Sequence, residues 1–139
     1  MHSLEIHTRN RSELRAVTSQ LAALVAAQGW RSGALLVYCP HTTAGLTVNE
    51  NADPDVVRDF LVGLEAAFPD HPSFRHREGH SPAHLKSSCV GVSETVIVRN
   101  GRPFLGTWKG IYLCEFDGPR SLRFQVRVLK LAKAFEEFS

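Results

Sequence analysis

Apolar residues recur at Leu14, Val17, Leu21, Leu24 and Val25, the spacing of one helical face, with Ser12 placed to cap the start and Gly29 to stop the end. Ahead of this predicted helix, "SLEIHT" (3–8) reads as a strand. Behind it the period changes. "GALLVYC" (33–39) is a continuous apolar run of strand length, and "GLTVNE" (45–50) sets Leu46 and Val48 against Thr47 and Asn49, as a half-buried strand does. Asp53 followed by Pro54 predicts a second helix, because the carboxylate accepts orphan backbone N–H groups and proline at the first helical position has none to satisfy. Val57, Phe60, Leu61, Leu64 and Phe68 continue its apolar stripe as far as Pro69.

The stretch 68–88 breaks the pattern with three prolines, one glycine and four histidines in a polar setting. It reads as a long functional loop, with a short helix from Ser81 and Pro82 to near Gly91. "TVIVRNGRPFLG" is a hairpin signal, since Asn100 and Gly101 tolerate the positive φ angles of a tight turn. "GIYLCEF" and "SLRFQVRVLKLA" read as a further antiparallel pair joined by "DGPR". Together these predict one α+β domain over residues 1–139, with a largely antiparallel β core that two main helices cover on one side.

Composition narrows the function classes. The chain has 139 residues, enough for one core, and a formal charge of +2, too small for a nucleic-acid or membrane footprint. No apolar run approaches the roughly 20 residues that span a bilayer, and the N-terminus lacks the basic and apolar regions of a secretory signal, which predicts a cytoplasmic protein. Cys39, Cys89 and Cys114 are odd in number and widely spaced, so they read as small buried hydrophobes rather than a disulfide or cysteine–zinc framework.

Seven histidines invite a metal reading. His76, His80 and His84 recur at every fourth position, although Gly79 and Pro82 argue against the unbroken helix that would align them, and exposed loop histidines are the alternative. His41 follows an apolar strand through Pro40, where an imidazole can bind a divalent ion, transfer a proton or simply bond nearby backbone. Glu50 and Asp53 add oxygen donors suited to magnesium, or to zinc beside imidazole, while Asp53 already has sufficient work as a helix cap. Asp55, in the first helical turn, favours the helix dipole by about 0.3–1 kcal/mol and receives no catalytic role. Lys86, Ser87 and Ser88 sit near a short helix start that could hold a phosphate. Thr107, Trp108, Lys109, Glu115 and Arg120 crowd polar groups and an aromatic wall into one stretch. Glu115 in an apolar strand calls for a partner such as Arg120.

Read together, "HTTAGLTVNENADPDV", "FRHREG…AHLKSS…G" and "LGTWKGIYLCEFDGPR" resemble the YjbQ family, also called the secondary thiamine-phosphate synthase family, in blocks that run in the family's order and cover most of residues 39–128. The resemblance implies a compact α+β fold with an antiparallel β core, assembled as a homotrimer with sites near subunit boundaries. It marks His41, Glu50, Asp53, His76, His84, Lys86, Glu115 and Arg120 as motif positions. Of these it implies His41, His76 and His84 as ligands of a divalent metal, zinc or magnesium, and leaves out His80. Lys109 departs from the Gln usual after "GTW", and "KLAKAFEEFS" extends past the usual final strand, with Leu131, Ala134, Phe135 and Phe138 spaced for a small amphipathic helix.

The activity implied is weak thiamine-phosphate synthesis, which joins a hydroxymethylpyrimidine diphosphate to a thiazole phosphate and releases diphosphate. That chemistry needs positive charge on a leaving group, which an ion with Lys86 and Arg120 would supply, while Glu50 or Asp53 orients a ligand or water and Trp108 flanks a ring. Two alternatives stand beside it: a zinc-dependent hydrolase with Glu50 as base, and a non-catalytic protein that binds a metal or a small phosphorylated ligand.

Overall fold

Strand β8 (Ser121–Leu129) shows why the chain forms sheets: Leu122, Phe124 and Val126 point into the core while Ser121, Arg123 and Arg127 face solvent. The computed structural model describes residues 1–76 and 80–129. In chain order its elements are β1 (His2–His7), β2 (Glu13–Ala16), α1 (Thr18–Gln28), β3 (Ser32–Tyr38), β4 (Ala44–Glu50), α2 (Pro54–Ala67), α3 (Ser81–Val90), β5 (Ser93–Arg99), β6 (Arg102–Phe104), β7 (Lys109–Glu115) and β8. The strands make two sheets, ordered β1-β8-β3-β5-β6 and β2-β7-β4, with every neighbouring pair antiparallel.

The main core lies between the sheets. Ile6, Leu35, Val37, Val96, Val98, Leu122, Phe124 and Val126 come from the larger sheet, Leu46, Ile111 and Leu113 from the smaller, and Val17, Leu21 and Val25 from the start and length of α1. Strand β7 is buried from Gly110 to Glu115 because both of its faces are covered. Its second face carries Cys114, which with Phe116 packs against Leu14, Phe60, Leu64, Ala83 and Val90. Helices α2 and α3 thus cover one side of the smaller sheet, as an α+β arrangement requires.

Two close fits hold α3 in place. A Cβ at Gly45 would lie 2.5 Å from the Gly91 carbonyl oxygen, so only glycine lets β4 meet the end of the helix. There the Leu46 N–H donates to that same oxygen at 3.0 Å, and the Ser87 hydroxyl donates to the Ala44 carbonyl at 2.6 Å.

Locally encoded elements form where the pattern puts them. Asp53 Oδ1 accepts the Asp55 N–H at 2.9 Å at the start of α2. Asn100 and Gly101 turn the β5–β6 hairpin at φ 54° and 74°. Helix α3 spans Ser81–Val90.

Three expectations are corrected. The helix predicted from Ser12 begins only at Thr18, because Glu13–Ala16 forms β2 on the edge of β7, with Leu14 turned toward α2 and α3 rather than toward Leu21 and Val25. The strands flanking "DGPR" do not pair with each other. That turn, with a cis Gly118–Pro119 bond, carries the chain from the smaller sheet to the larger. Cys39 and Cys114 are buried, with burial pushing both thiols up, whereas Cys89 is exposed. Gly79 and the predicted tail helix with Leu131, Ala134, Phe135 and Phe138 lie outside the described residues. No described helix is long and apolar enough to cross a membrane.

Candidate functional site

The residues singled out from the sequence divide between two ends of one strand pair. In the β4–β7 register Ala44 faces Glu115 and Glu50 faces Lys109. Six residue steps at about 3.3 Å each set the two carboxylate-bearing positions on the order of 20 Å apart. A single chain therefore does not bring Glu50 to Glu115.

At the first end Glu115 is fully buried and its oxygens are surrounded by donors. Oε1 accepts the Phe116 and Asp117 N–H groups at 3.0 Å each and Arg120 Nη2 at 2.8 Å, and Oε2 accepts the Thr8 hydroxyl at 3.0 Å and Arg120 Nε at 3.1 Å. Arg120 Nη2 also donates to Thr43 Oγ1 at 2.6 Å, and the Arg120 N–H to Thr8 Oγ1 at 2.9 Å. These bonds tie the β7–β8 turn to the segments around Thr8 and Thr43. Arg120 is the partner that Glu115 called for, and the bidentate geometry suits guanidinium and carboxylate. Thr8 and Thr43 carried no signal in the sequence, since a threonine before a turn is ordinary until its partner is known.

The histidines gather at this same end. His80 precedes the first residue of α3 and His84 lies one turn later, its N–H donating to the His80 carbonyl at 3.1 Å. His76 comes across to meet both, with its ring centroid 5.1 Å from that of His84, nearly perpendicular, and 6.3 Å from that of His80. His80 Nδ1 lies 3.1 Å from Asp117 Oδ2, two residues beyond Glu115 in the chain. The three rings thus lie together, with His84 in α3 and neither His76 nor His80 in a helix. His41 instead has Nε2 3.2 Å from both the backbone N and the backbone O of Arg123, the neighbour it uses depending on its tautomer.

Lys86 is buried on α3, and its ammonium donates to Glu65 Oε2 at 2.6 Å, while the Glu65 side chain is 71% exposed. Asp53 is exposed and caps α2. As for a metal, His76 and His84 form an imidazole pair of the right chemistry, but among the described residues no three His, Cys, Asp or Glu groups converge closely enough to hold an ion. Among the described residues of one chain the three-histidine set is not closed, and His41 Nε2 meets the Arg123 backbone instead.

The opposite end is open. Asn49, Glu50, Thr107, Trp108 and Lys109 line a cavity of about 500 Å³ between the end of β4 and the turn before β7. The Asn51 N–H donates to the Trp108 carbonyl at 2.6 Å, and the Tyr112 hydroxyl donates to Asn51 Oδ1 at 2.6 Å and to the Glu50 carbonyl at 3.1 Å. Burial, and secondarily the Glu50 charge, push the Tyr112 phenol above its ordinary value. The crowding of Thr107, Trp108 and Lys109 was visible in the sequence. Their meeting with Asn49 and Glu50 was not, because it depends on strand register.

The family model "UPF0047 protein YjbQ-like" matches residues 2–131. UPF0047 protein YugU of Bacillus subtilis is 50% identical over 130 residues, 93% of this chain and 98% of that protein. UPF0047 protein MJ1081 of Methanocaldococcus jannaschii is 45% identical over 125 residues, covering 90% and 91%. A crystal structure of an uncharacterized conserved protein of the YjbQ/UPF0047 family from Clostridium acetobutylicum superposes with a TM-score of 0.89 at 44% identity, over 93% of this chain and all of that one. The conserved hypothetical protein TT1486 from Thermus thermophilus gives 0.86 at 40% identity, over 93% of this chain and all of that one. The chain belongs to the YjbQ-like UPF0047 family.

Proposed function

We propose that this YjbQ-like protein is a metal-assisted transferase acting on a small phosphorylated substrate at its histidine end, with weak thiamine-phosphate synthesis as the activity that the resemblance implies. The observation that carries the reading is the meeting of His76 and His84, with His80 and Asp117 beside them, at an end where a buried ion pair fixes the backbone. His76 and His84 would hold the divalent ion, zinc or magnesium, and His41, or the same residue of a neighbouring copy in a homotrimer, would complete the set. When bound, such an ion neutralises charge on a departing diphosphate.

The chain's own residues then divide the remaining work. His80 is oriented by Asp117, whose Oδ2 lies 3.1 Å from its Nδ1, so its ring is held in place beside the His76–His84 pair. Lys86 reaches its position buried and already paired with an exposed carboxylate, so a substrate phosphate that displaces Glu65 would meet a desolvated ammonium. Arg120 gives its Nε and Nη2 to Glu115 and Thr43, so this pair frames the turn. Asp53 acts as a helix cap, and Glu50 serves this end only if another copy presents it.

Elemental analysis of the purified protein beside His76→Ala and His84→Ala variants tests the reading, with folding checked by circular dichroism. Near-stoichiometric metal in the parent, its loss in both variants and a matching loss of condensation product are the expected results. Unchanged metal content and turnover in folded His84→Ala would overturn the assignment. Release of inorganic phosphate without condensation would instead favour a hydrolase.

A further inference from the structure

We propose that the cavity between the end of β4 and the 106–109 turn is a second binding site, which takes a small planar nitrogen heterocycle bearing a phosphate or carboxylate. It lies at the other end of the strand pair from the histidines and does not rest on the metal reading.

Three observations point to a ligand. First, Trp108 is 67% exposed on the cavity wall, leaving an indole open to stacking on a flat π system. Second, Glu50 and Lys109 stand directly opposite each other on antiparallel strands, where opposite charges ordinarily pair. Among the described residues neither side chain closes an ion pair. They flank the cavity with one acceptor and one cation, which suits a ligand that offers an N–H and an anionic group.

Third, the walls are fixed before anything binds. The Asn51 N–H holds the Trp108 carbonyl, the Lys109 N–H holds the Gly106 carbonyl at 3.0 Å, and Tyr112 holds Asn51 from below. A ligand therefore does not have to order the loop, a cost that otherwise subtracts from affinity. About 500 Å³ lies within the range of small-molecule sites, and the carboxylate in the wall disfavours a polyanion tracking along the surface.

The chain has two tryptophans, and Trp30 is the partly buried one that packs on the main core. Trp30→Phe leaves Trp108 as the reporter. Adenosine 5′-monophosphate and cytidine 5′-monophosphate are the probes, with adenosine and inorganic phosphate as the arms that separate ring from anion. Saturable quenching of Trp108 by both nucleotides is expected, with adenosine weaker by about fivefold, the ratio an exposed cation and phosphate contact supplies. Lys109→Gln is expected to erase that ratio, and Glu50→Gln to weaken nucleotide and nucleoside alike.

No saturable quenching by either nucleotide up to on the order of 10 mM would overturn the site. Quenching untouched by both substitutions would also overturn it. So would Trp108 emission that shifts with protein concentration alone, which would assign this face to a second copy of the chain. If Trp30→Phe does not fold, the indole N–H resonance of Trp108 in the unsubstituted protein reads the same titrations.

Discussion

Glu115 and Glu50 sit at opposite ends of the same antiparallel strand pair, and their surroundings could hardly differ more. Glu115 is fully buried, and both of its oxygens are bonded to Thr8, Arg120 or backbone N–H groups. Glu50 is half-buried beside an open cavity, close enough for its charge to bear on the Tyr112 phenol. The same residue type in the same sheet is thus a fastening at one end and an available group at the other. What separates them is whether the protein has already satisfied the carboxylate. A buried charge must be paired within the fold, whereas a partly hydrated one keeps capacity for a ligand.

The sharpest way to break this comparison is to remove both carboxylates in turn. Glu115→Ala leaves the Arg120 guanidinium facing buried backbone and threonine groups without its counter-charge, which is expected to cost about 3–5 kcal/mol in urea unfolding. Glu50→Gln is expected to change stability by no more than about 0.5 kcal/mol. Equal losses would mean that both carboxylates are structural. A neutral result at Glu115 would mean that the turn around cis Pro119 is held by something else.

A middle case sharpens the contrast. Lys86 is as buried as the core, yet its partner Glu65 reaches it from solvent. Glu65→Ala is expected to cost about 1–3 kcal/mol, the range for a charged hydrogen bond lost from a buried group. Inorganic phosphate should return part of that loss if the vacated ammonium accepts an anion, and a thermal shift with phosphate that appears only in this variant is the measurement.

The smallest effect reports on the open end itself. Because the Tyr112 phenol is raised above its ordinary value of 10.0, the folded state keeps its proton to higher pH than the unfolded chain. Its contribution to stability is therefore fully present below about pH 10 and is lost as pH rises through the folded-state value. Glu50→Gln removes the secondary cause and leaves burial, so the titration should move down only part of the way. Absorbance at alkaline pH in a Tyr38→Phe background isolates the change, since the chain has two tyrosines.

Local chemistry was legible in the sequence and pairing was not. Asp53 with Pro54 starts α2, and Asn100 with Gly101 turns a hairpin, because each acts through backbone geometry within a few residues. β7 and β8 follow each other with five residues between them, and adjacency suggested a hairpin. Instead β7 finds β2 and β4 while β8 finds β1 and β3, choices set by partners far along the chain. The helix read from Ser12 failed for the same reason, as Glu13–Ala16 gains an edge of β7 that no local propensity announces.

The candidate sites follow this rule. Glu115 and Arg120 are five residues apart, and their pairing was readable. The convergence of His76 on His84 and the opposition of Glu50 to Lys109 are tertiary facts that no local pattern fixes. The family resemblance supplied the first of these as a residue set, but it did not say which members one chain brings together.

The register of the larger sheet also bears on how the chain is made. His7 pairs with Ser121 and His2 with Val126, so the first strand meets its partner only after almost everything between them exists. On a ribosome, β1 and one edge of β3 would wait unpaired until β8 emerges from the exit tunnel. Such distant closures slow folding and leave strand edges open in the meantime. Synthesis of this protein thus includes an interval in which its nascent sheets are at risk of pairing with the wrong chain, and that interval ends only with its last described strand.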